Sequence, residues 1–146
     1  MDGSGVLMKV EQRILTEQEV NRLVSEAEPN ETKFLRDLDV NIFNFFKEYS
    51  LIQDGLVIDD RPIYIAAVIK DDEKRFKFWT VVNKDTGYVI QLSRHVRDSL
   101  KKWINIFGEL YATMEKVSPK NMKWVEWLGF IPVEEDEKII TYRIRG

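Results

Sequence analysis

One run of residues concentrates the chemistry this chain could perform. S-R-H-V-R-D-S-L-K-K, residues 93–102, carries Arg94, Arg97, Lys101, Lys102 and the chain's only histidine, His95. Such a set attracts anions, phosphate above all, and the imidazole adds the one side chain that ordinarily titrates near neutral pH and can act as a general base. Ser93 reads as the N-cap of a helix. Arg94, His95 and Arg97 then crowd its first turn, where the positive end of the helix dipole disfavours cations unless something anionic sits there. A bound phosphate group resolves that conflict; the bland alternative is a solvated basic face with His95 at the surface.

Other chemistries are thin or absent. With no cysteine and one histidine, disulfides, thiolate nucleophiles and Cys- or His-rich metal centres are out, so no metal site is expected. Asp71, Asp72 and Glu73 fall in a turn and read as solvated. The formal net charge is −3 with both signs dispersed, which argues against a nucleic-acid binder working through a global basic field. No apolar run reaches the roughly 18–20 residues of a membrane span and no secretory signal opens the chain, so a cytoplasmic protein without a membrane partner is expected. The 146 residues, 44% hydrophobic and 12% aromatic, suffice for one packed domain. Residues 1–7 read as a flexible leader or cloning scar and 8–146 as that domain.

These side chains must be placed by elements. T-E-Q-E predicts a helix N-terminus, with Thr16 and Glu19 as a capping box and Leu15 and Val20 as a hydrophobic staple. Val20, Leu23, Val24 and Ala27 make its apolar face. K-F-L-R-D-L-D-V-N-I-F-N-F-F-K-E-Y predicts a second helix with Phe34, Leu35, Leu38, Ile42, Phe45 and Phe46 at helical spacing. Two strands follow around a turn at Asp59–Pro62, then R-F-K-F-W-T-V-V as a central strand. The helix from Ser93 buries Val96, Leu100, Trp103, Ile104 and Phe107 and ends at Gly108. E-L-Y-A-T-M-E-K-V is another strand. Ser118 and Pro119 open a last helix, and Leu128-Gly129-Phe130 closes it as a Schellman ending, with Trp124 and Trp127 read as a wedge into the core. K-I-I-T-Y-R-I-R is the final strand. The order α-α-β-β-β-α-β-α-β(β) is a mixed α/β (α+β) domain around a mainly antiparallel sheet.

This order, with a helix ending L-G-F before the last strands, resembles the GNAT superfamily of acyl-CoA-dependent N-acetyltransferases. The pattern of Trp79, Trp103 and then Lys123 to Phe130 is similar to GNAT-like proteins of tailed bacteriophages, some of them internal virion proteins and others acetyltransferases. The resemblance implies acetyl-CoA as cofactor, its pyrophosphate lying on backbone amides of a glycine-rich loop that opens the third helix. That loop falls on Y-V-I-Q-L-S: Tyr88 stands for the arginine, Gln91 for the first glycine and Ser93 for the second. The cofactor-binding set so implied is Val82, Gln91, Leu92, Ser93, Arg94, Arg97, Ser118 and Asn121. The family's strand carboxylate has no counterpart in K-F-W-T-V-V, and its helix tyrosine, the general acid, falls on Val125. Tyr88, His95 and Tyr111 are the remaining catalytic candidates, and Tyr142 is a third tyrosine to consider; each tyrosine also reads as a core or sheet aromatic.

Two functions are therefore open. One is transfer of an acetyl group from acetyl-CoA to an amine. The other is a catalytically degenerate fold of the same kind that works by binding, as a phage virion component or an inhibitor of a host protein, located in the host cytoplasm or the virion.

Overall fold

The computed structural model describes residues 8–27, 41–83, 87–116 and 119–146, with Lys120 and Asn121 as backbone only. In chain order the elements are β1 (Val10–Gln12), α1 (Glu17–Glu26), α2 (Ile42–Tyr49), β2 (Ser50–Ile58), β3 (Arg61–Lys70), β4 (Phe76–Val82), α3 (Val89–Phe107), β5 (Glu109–Glu115), α4 (Pro119–Leu128), β6 (Ile131–Glu135) and β7 (Ile139–Arg145). Among the described residues the strands form one seven-stranded sheet in the order β1-β2-β3-β4-β5-β7-β6. β1 pairs antiparallel with β2, and β7 antiparallel with both β5 and β6; β4 and β5 run parallel. The mixed, mostly antiparallel architecture is the expected one. The leader assigned to residues 1–7 lies outside the described residues.

The fold divides into two compact units, Met1–Ala67 with Thr80–Gly87, and Val68–Trp79 with Tyr88–Gly146. In the first, the capping box forms as its spacing predicts: the Glu19 amide donates to Thr16 Oγ1 and the Thr16 amide to Glu19 Oε1 at 2.9 Å. Leu15 and Val20 are both buried, as a staple requires. Asp59 and Asp60 turn β2 into β3 with φ of 50° and 65°, the left-handed pair that a two-residue hairpin demands and that aspartate tolerates. Ile63 to Ile69 of β3 are all buried, the signature of a strand covered on both faces.

One expectation fails in this unit, and one strand is unforeseen. The second helix does not run unbroken through Asn41. That residue is extended, its Oδ1 accepts the Asn44 amide at 3.0 Å, and α2 starts at Ile42; Phe34, Leu35 and Leu38 lie outside the described residues. A three-residue asparagine cap of this kind wins over helical continuity because it satisfies an otherwise orphaned amide. β1 is also unforeseen, since three residues with two polar members carry no readable alternation.

In the second unit α3 packs its aromatic side on β4: Phe76 meets Phe107 at 4.8 Å between centroids, and Phe78 meets both Trp103 and Phe130 at 6.0 Å. The helix ends at Gly108, whose φ of 86° suits glycine and whose amide donates to the Ile104 carbonyl. α4 closes with the expected Schellman pair, the Gly129 amide donating to Glu126 and the Phe130 amide to Val125. Its buried side chains are not the tryptophans. Val125, Leu128 and Phe130 fill the core, Trp124 is half-buried, and Trp127 is 49% exposed. The wedge reading fails because the helix phase set by Val125 and Leu128 turns position 127 outward.

Candidate functional site

The start of α3 is where sequence and structure differ most. The helix opens at Val89, with Tyr88 at the N-cap making no side-chain capping hydrogen bond. Ser93 is thus not a cap but a buried residue of the second turn, and its hydroxyl accepts the Trp124 indole N–H at 3.1 Å. Leu92 is buried and its amide already donates to the Tyr88 carbonyl at 2.9 Å. The amides of Val89, Ile90 and Gln91 lack intrahelical acceptors by position, and among the described residues the N-cap side chain does not take their place, which is the arrangement that suits an anion. Gln91 and Arg94 are exposed beside them.

Moving the start back by a turn also removes the dipole conflict. Arg94 and Arg97 sit beyond the first turn, where the dipole's effect has fallen away. Arg97 lies about 12 Å along the axis from Val89 and is engaged elsewhere: its guanidinium stacks 3.9 Å from the Trp127 ring centroid and donates to the Trp127 carbonyl at 3.5 Å. The two contacts, Ser93 with Trp124 and Arg97 with Trp127, advance together along both helices. α3 and α4 therefore run in the same direction, with their N-termini at one end. Ser118 lies outside the described residues, as does the Asn121 side chain; Pro119 is the first residue of α4, as expected.

β5 supplies the second feature. It is bonded to β7 along its length, from Glu109↔Arg145 to Glu115↔Ile139. On the β4 side, among the described residues, the paired position is Lys77↔Tyr111. Among the described residues Ala112 to Glu115 have no strand partner on that side, and the Lys77 ammonium donates to Thr113 Oγ1 at 3.0 Å; an unpaired stretch of this kind suits a ligand with hydrogen-bonding groups of its own.

The candidate proton carriers are scattered around these features. Tyr111 is half-buried at the last paired position; its hydroxyl donates to Glu109 Oε2 at 2.9 Å, and the Arg75 guanidinium lies 4.9 Å from its ring centroid. Tyr88 and His95 are half-buried on α3. Tyr142 is fully buried and donates to Glu126 Oε2 at 3.0 Å; burial, aided by that carboxylate, pushes its hydroxyl up to about 12. A tyrosine so reluctant to ionise pins α4 to β7 rather than trading protons. Val125, at the position of the family's acid, is buried. Asp71 is a structural turn residue, accepting the amides of Glu73 and Arg75 at 2.9 Å, and is held below the usual carboxylate range.

Val82 belongs to the first unit, half-buried near the end of β4. Next to it, sequence reasoning missed a carboxylate: Asn83, fully buried, donates through Nδ2 to Glu26 Oε1 at 2.7 Å, so α1 delivers an acid to the end of a strand that has none. Arg22 and Arg61 each approach Glu26 at 3.8 Å. An asparagine closing an apolar strand was the available signal.

No family model matches the chain. Its fold is that of solved GNAT acetyltransferases. An acetyltransferase (GNAT family) from Bacillus anthracis superimposes with a TM-score of 0.69 over 93% of this chain and 94% of its own, at 11% identity. A Bacillus subtilis acetyltransferase in complex with CoA gives 0.65 over 96% and 99%, at 10% identity. A spermidine N-acetyltransferase from Vibrio cholerae gives 0.57 over 93% of each chain, at 12% identity. By sequence, the teichoic acids export ATP-binding protein TagH of Lactococcus lactis is 31% identical over an alignment of 98 positions that covers 62% of this chain. The chain spans about a fifth (19%) of that relative, and residues 1–146 contain no G-x-x-x-x-G-K-S/T phosphate loop.

Proposed function

We propose that the chain binds acetyl-CoA and transfers its acetyl group to a primary amine. The observation that carries this reading is the stretch of β5 from Ala112 to Glu115, which among the described residues pairs with β7 and with no strand on its other side. An amide-bearing chain such as pantetheine can bond to it as a strand would, and the uncapped first turn of α3 offers a place for phosphate. The Bacillus subtilis neighbour holds CoA and the Vibrio cholerae neighbour is a spermidine acetyltransferase, which supports the same pair of partners. In this reading the amides of Val89 to Gln91 hold the pyrophosphate and Arg94 balances its charge. Leu92 and Ser93 serve as buried anchors of the helix rather than as ligands, and Arg97 is left to Trp127. Val82, Ser118 and Asn121 remain assigned to the cofactor by resemblance alone.

When bound, the cofactor supplies an activated thioester. The chain's own contribution is to hold the phosphates, order the β5 edge and manage a proton. Tyr111, hydrogen-bonded to Glu109, is the group assigned to that last task, with Tyr88 and His95 as the other candidates.

The second reading, a binding protein of phage origin or with a host partner, draws on Val125 and Ser93. One is a buried valine at the acid's position, and the other's hydroxyl is already taken by Trp124. A thiol-release assay separates the two. Because the chain has no cysteine, a thiol-reactive dye reads only liberated CoA. Release that depends on spermidine or another amine supports transfer; release no faster than without enzyme across a polyamine and amino-acid panel leaves binding as the function.

A further inference from the structure

Trp127 is the residue the proposed function does not use. Its ring is 49% exposed, and one face is covered by the Arg97 guanidinium at 3.9 Å. Arg97 belongs to a stripe of α3, Ile90, Arg94, Arg97 and Lys101, spaced as one helical face. Ile90 is 65% exposed and the three cations are exposed. On α4, Lys123 lies four residues before Trp127 on the same side and is exposed too. Among the described residues none of Arg97, Lys101 and Lys123 has a carboxylate partner, nor has Arg94, which the proposed function gives to the pyrophosphate; Arg13, Arg75 and Lys116 are examples of ion-paired cations elsewhere on the surface.

We propose that this α3–α4 face docks an acidic segment of a partner protein, with Trp127 as its anchor. Tryptophan and arginine together are the residue types that dominate binding energy at interfaces. Here the guanidinium is already stacked on the indole, so little side-chain entropy is lost on binding. Cations without a carboxylate among the described residues, flanking an exposed ring, call for carboxylates around an apolar contact. The stripe from Ile90 to Lys101 is about 16 Å long, the reach of about five extended residues. A compact acidic segment is favoured over an extended polyanion because the chain as a whole carries −3. A nucleic acid or an anionic bilayer would have to approach that repulsive remainder as well, while a short segment seats on the patch alone.

The test uses labelled octapeptides of Asp and Glu with one central leucine or proline, a Gly/Ser octapeptide, a thymidine 20-mer and phosphatidylglycerol vesicles, each titrated against the whole chain at low and physiological salt. The acidic peptides are expected to bind, to weaken about tenfold in Trp127→Ala and to be lost in the Lys101→Glu, Lys123→Glu double variant. All three positions are surface ones, so a circular-dichroism melt should show these variants folded. CoA affinity serves as an independent readout, since none of the three residues is assigned to the cofactor. Acidic peptides binding no better than the Gly/Ser peptide overturns the proposal. So does binding unchanged in the variants, or tighter binding of the oligonucleotide or vesicles that the same variants abolish.

Discussion

At the residue scale, spacing alone revealed what local hydrogen bonds decide and missed what tertiary partners decide. Thr16 and Glu19 were legible because a capping box is closed by residues three apart. Ser93 was misread for the opposite reason. Serine suits an N-cap, but the burial of Leu92 and the indole of Trp124, thirty-one residues away, hold it inside the helix. Tyr111 belongs to the same scale. If it manages the proton, Tyr111→Phe should lower the acetylation rate by about 10²-fold with CoA affinity unchanged by calorimetry; an unaltered rate removes it from the mechanism. Glu19 permits a stability prediction. A bidentate bond from Arg13, at 2.7 Å to each oxygen, pulls its carboxyl down from 4.5 to about 2. A depressed folded value means the contribution is present above pH 4.5 and disappears as pH falls toward 2. Urea midpoints should fall across that window in the native chain and fall less in Glu19→Gln.

At the element scale, the helices and strands were readable where glycine or a turn punctuated them, and unreadable where a neighbour set the phase. Gly129 was identified from Leu-Gly-Phe, and its φ of 111° explains the need for glycine. Gly129→Ala should therefore cost about 1–2 kcal/mol, read as a lowered melting temperature. Gly55 was not legible at all. A Cβ there would sit 2.6 Å from the Arg13 carbonyl oxygen, a crossing between chain segments that no local pattern announces. Gly55→Ala should be destabilising by about 1–3 kcal/mol, as overpacking against backbone is; a neutral melt would refute that close approach. The helix face of α4 was misjudged for a related reason: aromatic content suggested burial, while Val125 and Leu128 in fact choose the buried side.

At the scale of the whole molecule, the order of elements was legible and the order of strands was not. Alternation and turn residues specify each strand, but the position of β7 between β5 and β6, and the parallel pairing of Lys77 with Tyr111, depend on long-range pairing. The candidate site was legible to the same degree. The region 88–94 is legible in the sequence as the start of a helix, while the parts the proposed function gives to the cofactor are first-turn amides and a strand edge, neither of which has a side-chain signature. The central claim is that the amides opening α3 hold the phosphates of acetyl-CoA. Calorimetric titration of the native chain and of Val89→Pro tests it most directly, since proline at the first helical position removes one amide and leaves the helix intact. The account predicts saturable heat with acetyl-CoA in the native chain and about tenfold weaker binding in the variant; no heat at millimolar acetyl-CoA, or equal affinity in the two proteins, would contradict it.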